Sequence, residues 1–384
     1  MSHPPTLPID GPDAFPILQE LTFLDHARVA PLSARAADAL AGYAHHAAAR
    51  AWIAGGWQKR IREIRTRIPS LINARSHREI AFMPNTSAGL AQVANGLTWH
   101  AGDEVVITNV EYPANRYPWI NLAQRHGVKV VEVHQQPDGR IELEDVIEAV
   151  TDRTRVVSLS HVQFASGHRI DLAPIAHTVH QVGGYLCVDA IQSVGALPVD
   201  VQRDGVDFLA ADGHKWMLGP EGAGLIYVRR DRLDLLGPEM TGWLGRVRSW
   251  DYTDHDQPLV TGAARFEEGT WNVAGLAAMG ESIGLLLEVG AEQAWRRIEQ
   301  LTGRIEDGAR RLGFQVVSPR ADGERSGIIA LTRPGLDADA WRRALEERSI
   351  IVAARRGWLR ASPHFYNEPA QADRLVEALA EIAR

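Results

Sequence analysis

Short apolar runs alternate with longer mixed stretches between residues 79 and 228. The runs Glu79–Met83, Glu104–Thr108, Val128–Val133, Arg155–Ser160, Tyr185–Val188, Asp207–Ala211 and Gly224–Val228 predict seven strands. Most are separated by enough residues for a crossover helix, so the expected fold class is α/β with a mostly parallel, doubly wound sheet. Leu225–Val228 follows its predecessor too closely for such a crossover and is expected to pair antiparallel.

Ahead of this region, residues 1–20 are proline-rich and expected to be extended, and the apolar run Leu21–Leu24 stops at Asp25-His26-Ala27-Arg28. Residues 33–50 are alanine-rich and helical. Ile61, Ile64 and Ile68 recur at helical spacing within the basic stretch Lys59–Arg67, whose arginines read as a solvated face. Beyond residue 275 the texture changes to one long amphipathic helix, Ala277–Leu301. Short strands near 314–317 and 327–332 and a closing helix at Ala370–Arg384 follow. The expected division is a large domain at 16–275 and a smaller α/β domain at 276–384 that includes the N-terminal segment 1–15.

Composition narrows the class without naming a function. A chain of 384 residues exceeds the size at which one core usually stops growing. An apolar fraction of 45% and a charged fraction of 23% are those of a soluble globular protein. A net charge of -7 gives no footprint for nucleic acid or an anionic membrane surface. The single cysteine, Cys187, excludes an internal disulfide. No apolar run approaches the roughly 20 residues of a membrane span, and Met-Ser-His-Pro-Pro lacks the order of a signal peptide. A soluble, cytoplasmic protein acting on a small molecule is expected.

Candidate chemistry gathers where strands end. The chain has only three lysines, Lys59, Lys129 and Lys215, and Lys215 sits on a glycine corner after the Asp207–Ala211 run. Ligands of open α/β sheets bind at the carboxyl ends of strands. Asn85-Thr86-Ser87-Ala88-Gly89 follows another strand and opens a helix, which suits either a helix cap or a phosphate cradle. Asp189 ends the Tyr185–Val188 strand, with Gln192 and Ser193 close behind, whereas Cys187 reads as a small buried hydrophobe. A lysine for a Schiff base, an acid for a pyridinium nitrogen and a phosphate anchor together match the needs of pyridoxal 5′-phosphate. No metal site is expected.

These motifs resemble the class V aminotransferase group of fold-type I pyridoxal-phosphate enzymes, which includes cysteine desulfurases, selenocysteine lyases, cystine C–S lyases, kynureninase and isopenicillin N epimerase. The resemblance runs from Phe23-Leu-Asp-His-Ala to Arg360-Ala-Ser-Pro-His-Phe-Tyr-Asn367. It is most specific at Val188-Asp-Ala-Ile-Gln-Ser-Val-Gly195, Asp212-Gly-His-Lys-Trp-Met-Leu-Gly-Pro220 and Arg265-Phe-Glu-Glu-Gly-Thr-Trp-Asn272. It implies a seven-stranded large domain in which Lys215 carries the cofactor and moves the substrate Cα proton. It further implies that Asp189 pairs with the pyridinium, Gln192 with the phenolic oxygen, and Thr86, Ser87 and His214 with the phosphate. Tyr112 is implied as the ring stacked on the cofactor, and Gln163 joins the cofactor set. Gly269 and Thr270 are implied to reach the phosphate of a partner subunit, making a homodimer with composite sites. Arg360, with His26 and Arg356, is implied to bind the substrate.

The departures from that family matter as much. Desulfurases carry a catalytic cysteine on a loop just before the segment matching Arg360, and here Ile351-Val-Ala-Ala-Arg-Arg-Gly-Trp-Leu359 is short and has none. Asp212 replaces a serine or threonine that often contacts phosphate, Phe164 replaces an asparagine near the substrate, and Trp271 stands where proline is common. The expected reaction is therefore C–S β-elimination or transamination of a small amino acid without a persulfide. An epimerase, a kynureninase-like hydrolase and a non-catalytic cofactor-binding homologue are the alternatives. Arg355 and Arg356 suit either a substrate with a second anionic group or a solvated loop.

Overall fold

The computed structural model describes residues 11, 13–53 and 55–383. A two-residue strand β1 (Thr22–Phe23) precedes β2 (Ile80–Met83), β3 (Glu104–Thr108), β4 (Lys129–Val133), β5 (Thr154–Ser160), β6 (Tyr185–Asp189), β7 (Phe208–Asp212) and β8 (Gly224–Val228). The latter seven form one sheet in the order β2-β8-β7-β6-β5-β3-β4. Each lies within a residue or two of its predicted run. All pairings are parallel except those of β8, which runs antiparallel to both β7 and β2. Only residues 213–223 separate β7 from β8, too few for a crossover helix. Every residue of β6, β7 and β8 is buried, as expected of central strands covered by helices on both faces.

The remaining strands are β9 (Gln315–Val316), β10 (Ile329–Thr332), β11 (Ile350–Ile351), β12 (Ala353–Arg355) and β13 (Trp358–Ala361). Four of them make an antiparallel sheet, β12-β13-β10-β9, backed by an apolar cluster that includes Leu301, Ile305, Leu359 and Leu375. Leu24 belongs to this cluster, and β1 pairs in parallel with β11, so the N-terminal run is bound to the C-terminal region.

Two sequence expectations need correction. Residues 1–10 and 12 of the predicted extended segment lie outside the described residues, but its end is one helical turn, Ile17–Glu20, opened by Pro16. The single long helix expected at Ala277–Leu301 is two helices, Val273–Val289 and Ala291–Arg311, meeting at 83°. Gly290 stands at the break with φ 80°, left-handed backbone that glycine adopts without a Cβ penalty. Among the described residues no single helix is long and apolar enough to cross a membrane.

Candidate active site

The carboxyl ends of β2, β3, β5, β6 and β7 converge on one cavity of about 330 Å³. Lys215 is fixed there by its neighbours. Gly213 N–H donates to Ala223 O at 2.9 Å, and Gly219 N–H donates back to Gly213 O at 2.8 Å. Trp216 and Leu218 are fully buried, and Leu218 adopts φ 57°, so packing holds the corner in a conformation that leucine disfavours. The Asp189 turn is pressed against this corner at Gly195, where a Cβ would stand 2.2 Å from Trp216 O. Gly89 does the same for the helix Thr86–Gly96, since a Cβ there would meet the Ala210 side chain of β7 at 2.8 Å. Two missing side chains thus bring Thr86, Ser87 and Asp189 close to Lys215.

Of the expected site residues, Thr86, Ser87, Tyr112, Asp189, Gln192, His214, Lys215 and Arg360 line this cavity. Asn85 also lines the cavity and caps its helix, accepting from Ala88 N–H at 2.9 Å. Lys215 is 7% exposed, and burial pushes its ammonium down to about 8, with Arg360 and Arg355 adding to the depression. Its Nζ lies 5.4 Å from the centroid of the Tyr112 ring. Burial raises the Asp189 carboxyl to about 7 against the opposing pull of the Ile191 N–H and the Lys215 charge. Gln192 spends one amide hydrogen on Ala27 O at 3.0 Å and accepts from Trp216 Nε1 at 2.8 Å, leaving its second N–H.

Three expected residues are not in the cavity. His26 is wholly buried, with Nδ1 2.9 Å from Ser362 O and Nε2 2.6 Å from the Tyr366 hydroxyl, and it joins the packing around Trp216 and His364. Gln163 turns beneath the site and donates to Glu111 at 3.0 Å, while its neighbour Phe164 lines the cavity. Arg356 is exposed at the tip of the β12–β13 hairpin, and Arg355 faces inward instead. Gly269 and Thr270 border a separate cleft beside Met83 and Pro84, with Thr270 exposed.

The sequence reading also missed partners. Asp25 accepts from Arg360 Nη2 at 2.9 Å, and Phe164 O accepts from Arg360 Nη1 at 2.6 Å. The only hint was Asp25 in its polar corner. Asp212 lines the cavity, with its Oδ2 3.0 Å from His214 Nδ1 but without hydrogen-bond alignment, and Glu221 lines it too.

Several polar atoms here are buried without a hydrogen-bond partner, and three of them come from different elements: Thr86 Oγ1, Asp189 Oδ2 and Arg360 Nε. Unpaired buried polar groups cost stability, so their convergence on one cavity marks a ligand that completes them. The set is a hydroxyl at a helix N-terminus, a carboxylate oxygen and a guanidinium N–H. It fits a phosphate, a protonated ring nitrogen and a substrate carboxylate, so the residues present fit pyridoxal 5′-phosphate.

Comparison with known proteins agrees. The model of the family described as aminotransferase class-V matches residues 22–375. A probable cysteine desulfurase of Methanothermobacter thermautotrophicus is 32% identical over 343 residues, covering 85% of this chain and 84% of that protein. The uncharacterized aminotransferase YcbU of Bacillus subtilis is 30% identical over 302 residues, covering 79% and 78%. The apo cysteine desulfurase of Thermococcus onnurineus superposes with a TM-score of 0.89 at 25% identity, covering 100% of this chain and 99% of that one. The cystine C–S lyase C-DES, solved with its reaction product cysteine persulfide, superposes at 0.86 with 26% identity, covering 96% and 99%. Fold, cavity and sequence agree, and the chain belongs to the class-V aminotransferase family of enzymes.

Proposed function

We propose that this protein is a pyridoxal-phosphate enzyme that acts at the Cα of a small amino acid, by C–S β-elimination or amino transfer, with no protein-bound persulfide. The cofactor reading rests on the three unpartnered buried atoms around Lys215. When bound, pyridoxal phosphate supplies an electron sink for negative charge at the substrate Cα. Lys215 would hold it and, with burial lowering its ammonium to about 8, would move the Cα proton. Asp189 Oδ2 takes the ring nitrogen, Tyr112 covers the ring, and the second Gln192 N–H meets the phenolic oxygen. Thr86, Ser87 and His214 hold the phosphate, and Arg360 Nε takes the α-carboxylate.

The exclusion of a persulfide rests on Cys187, the one cysteine of the sequence. It is fully buried in β6, and desolvation drives its thiol far above the range in which a thiolate forms. The β12–β13 connection, Arg356-Gly357, carries no cysteine, where the resemblance to desulfurases implies a cysteine-bearing loop.

A homodimer completes the proposal, with Gly269 and Thr270 of one protomer reaching the phosphate of the other. Glu267 ties that segment to the fold, accepting from Phe82 N–H and pairing with Arg65, both at 2.8 Å. The exposed Trp52 and Trp243 line one groove together with Thr270, an apolar surface beside that segment that suits an interface.

The test is an absorption spectrum with the cofactor, followed by assays of sulfide, pyruvate and amino transfer with cysteine, cystine and other amino acids. A visible band lost in Lys215→Ala is expected. A band that survives this change sinks the assignment, and a protein-bound persulfide sinks its second half.

A further inference from the structure

We infer that Arg355 selects substrates carrying a second anionic group on the side chain, an inference that rests on the amino-acid reading of the cavity above. The β12–β13 register pairs Ala353 with Arg360 and Arg355 with Trp358. Paired residues share a face of the sheet and alternate residues return to it, so Arg355 and Arg360 emerge on the same face. Both line the cavity.

The two guanidiniums are in different states. Arg360 is 1% exposed, offset by Asp25, and keeps only Nε unpartnered. Arg355 is half-buried nearer the hairpin tip. Its one hydrogen bond goes to the carbonyl of Ala354 at 2.8 Å, and it makes no ion pair among the described residues. Arg28 also lines the cavity, and the charges of Arg360, Arg355 and Arg28 all act on one carboxylate, Asp25; Asp189, Asp212 and Glu221 line the same cavity but none is ion-paired with Arg355 among the described residues. A neutral amino acid brings one carboxylate, which Arg360 Nε takes at depth. A half-buried guanidinium is then left without a counter-ion, and a side-chain carboxylate or sulfinate supplies it, with the planar fork suited to such an oxyanion.

The test titrates the holoenzyme with alanine, α-aminobutyrate, cysteine, aspartate and cysteine sulfinate, following the cofactor absorption and turnover, in wild type, Arg355→Gln and Arg355→Lys. Calorimetry with succinate and propionate gives a readout independent of turnover. Expected is at least about tenfold tighter half-saturation for aspartate and cysteine sulfinate than for the neutral amino acids. Arg355→Gln should erase that preference and the succinate heat while leaving alanine within about twofold, and Arg355→Lys should restore part of it. Equal weakening of alanine and aspartate in Arg355→Gln overturns the inference, because both guanidiniums then grip one carboxylate. No preference in the wild type overturns it too. A protein that takes up no cofactor at all is a separate result, which removes the proposed function and this inference together.

Discussion

Arg360 Nη2 donates to Asp25 Oδ1 at 2.9 Å across 335 positions of chain, with both side chains nearly inaccessible to water. Burial pushes the Asp25 carboxyl up and the Arg360 guanidinium down, each opposed by the other's charge. Removing one partner leaves the other as an uncompensated buried charge. Asp25→Ala is therefore expected to cost about 3–5 kcal/mol in urea unfolding, and the Asp25→Ala/Arg360→Ala double variant less than the sum of its singles. Additive losses would mean that the pair is uncoupled.

The pH dependence of cofactor uptake follows from Lys215. Only the unprotonated amine attacks a carbonyl carbon, and burial lowers Lys215 to about 8. The rate of covalent uptake by apoprotein should rise about tenfold per pH unit below that point and level off above it. A rate still climbing toward about pH 10.4, the value of an ordinary lysine, would show that the site does not tune this amine.

Cys187→Ala should leave every turnover rate unchanged and cost about 1 kcal/mol of stability, because a buried thiol behaves as a small hydrophobe. Alkylating reagents should not label the native protein. Loss of sulfide release in this variant would contradict the reading.

Subunit mixing tests the composite site. A Lys215→Ala protomer still supplies Gly269 and Thr270, whereas a Gly269→Asp/Thr270→Asp protomer still carries Lys215. Co-refolding two inactive variants at equal amounts should return about a quarter of wild-type activity, since half the dimers hold one intact site. Recovery near zero would place both elements in one chain's own site.

Residues whose roles depend on local pattern were legible in the sequence. The seven runs ended within a residue or two of the observed strands, and strand ends located Lys215, Asp189 and Thr86. The Asp25–Arg360 pair was not legible, because no local period links positions so far apart. His26 stood in a polar corner that the fold then closed over with Tyr366. That Arg355 rather than Arg356 lines the cavity was not legible either, because the face of a hairpin residue depends on register, and a shift of one residue exchanges the faces.

The hairpin also has a meaning for engineering. Arg356 and Gly357 both take positive φ, 52° and 80°, which is how a two-residue connection matches the twist of its strands. Its exposed tip is a natural insertion point, since each doubling of loop length adds only about 0.6 kcal/mol of closure entropy. A longer segment bearing one thiol, grafted between Arg355 and Trp358, would ask whether sulfur transfer within this family can be installed by loop length alone.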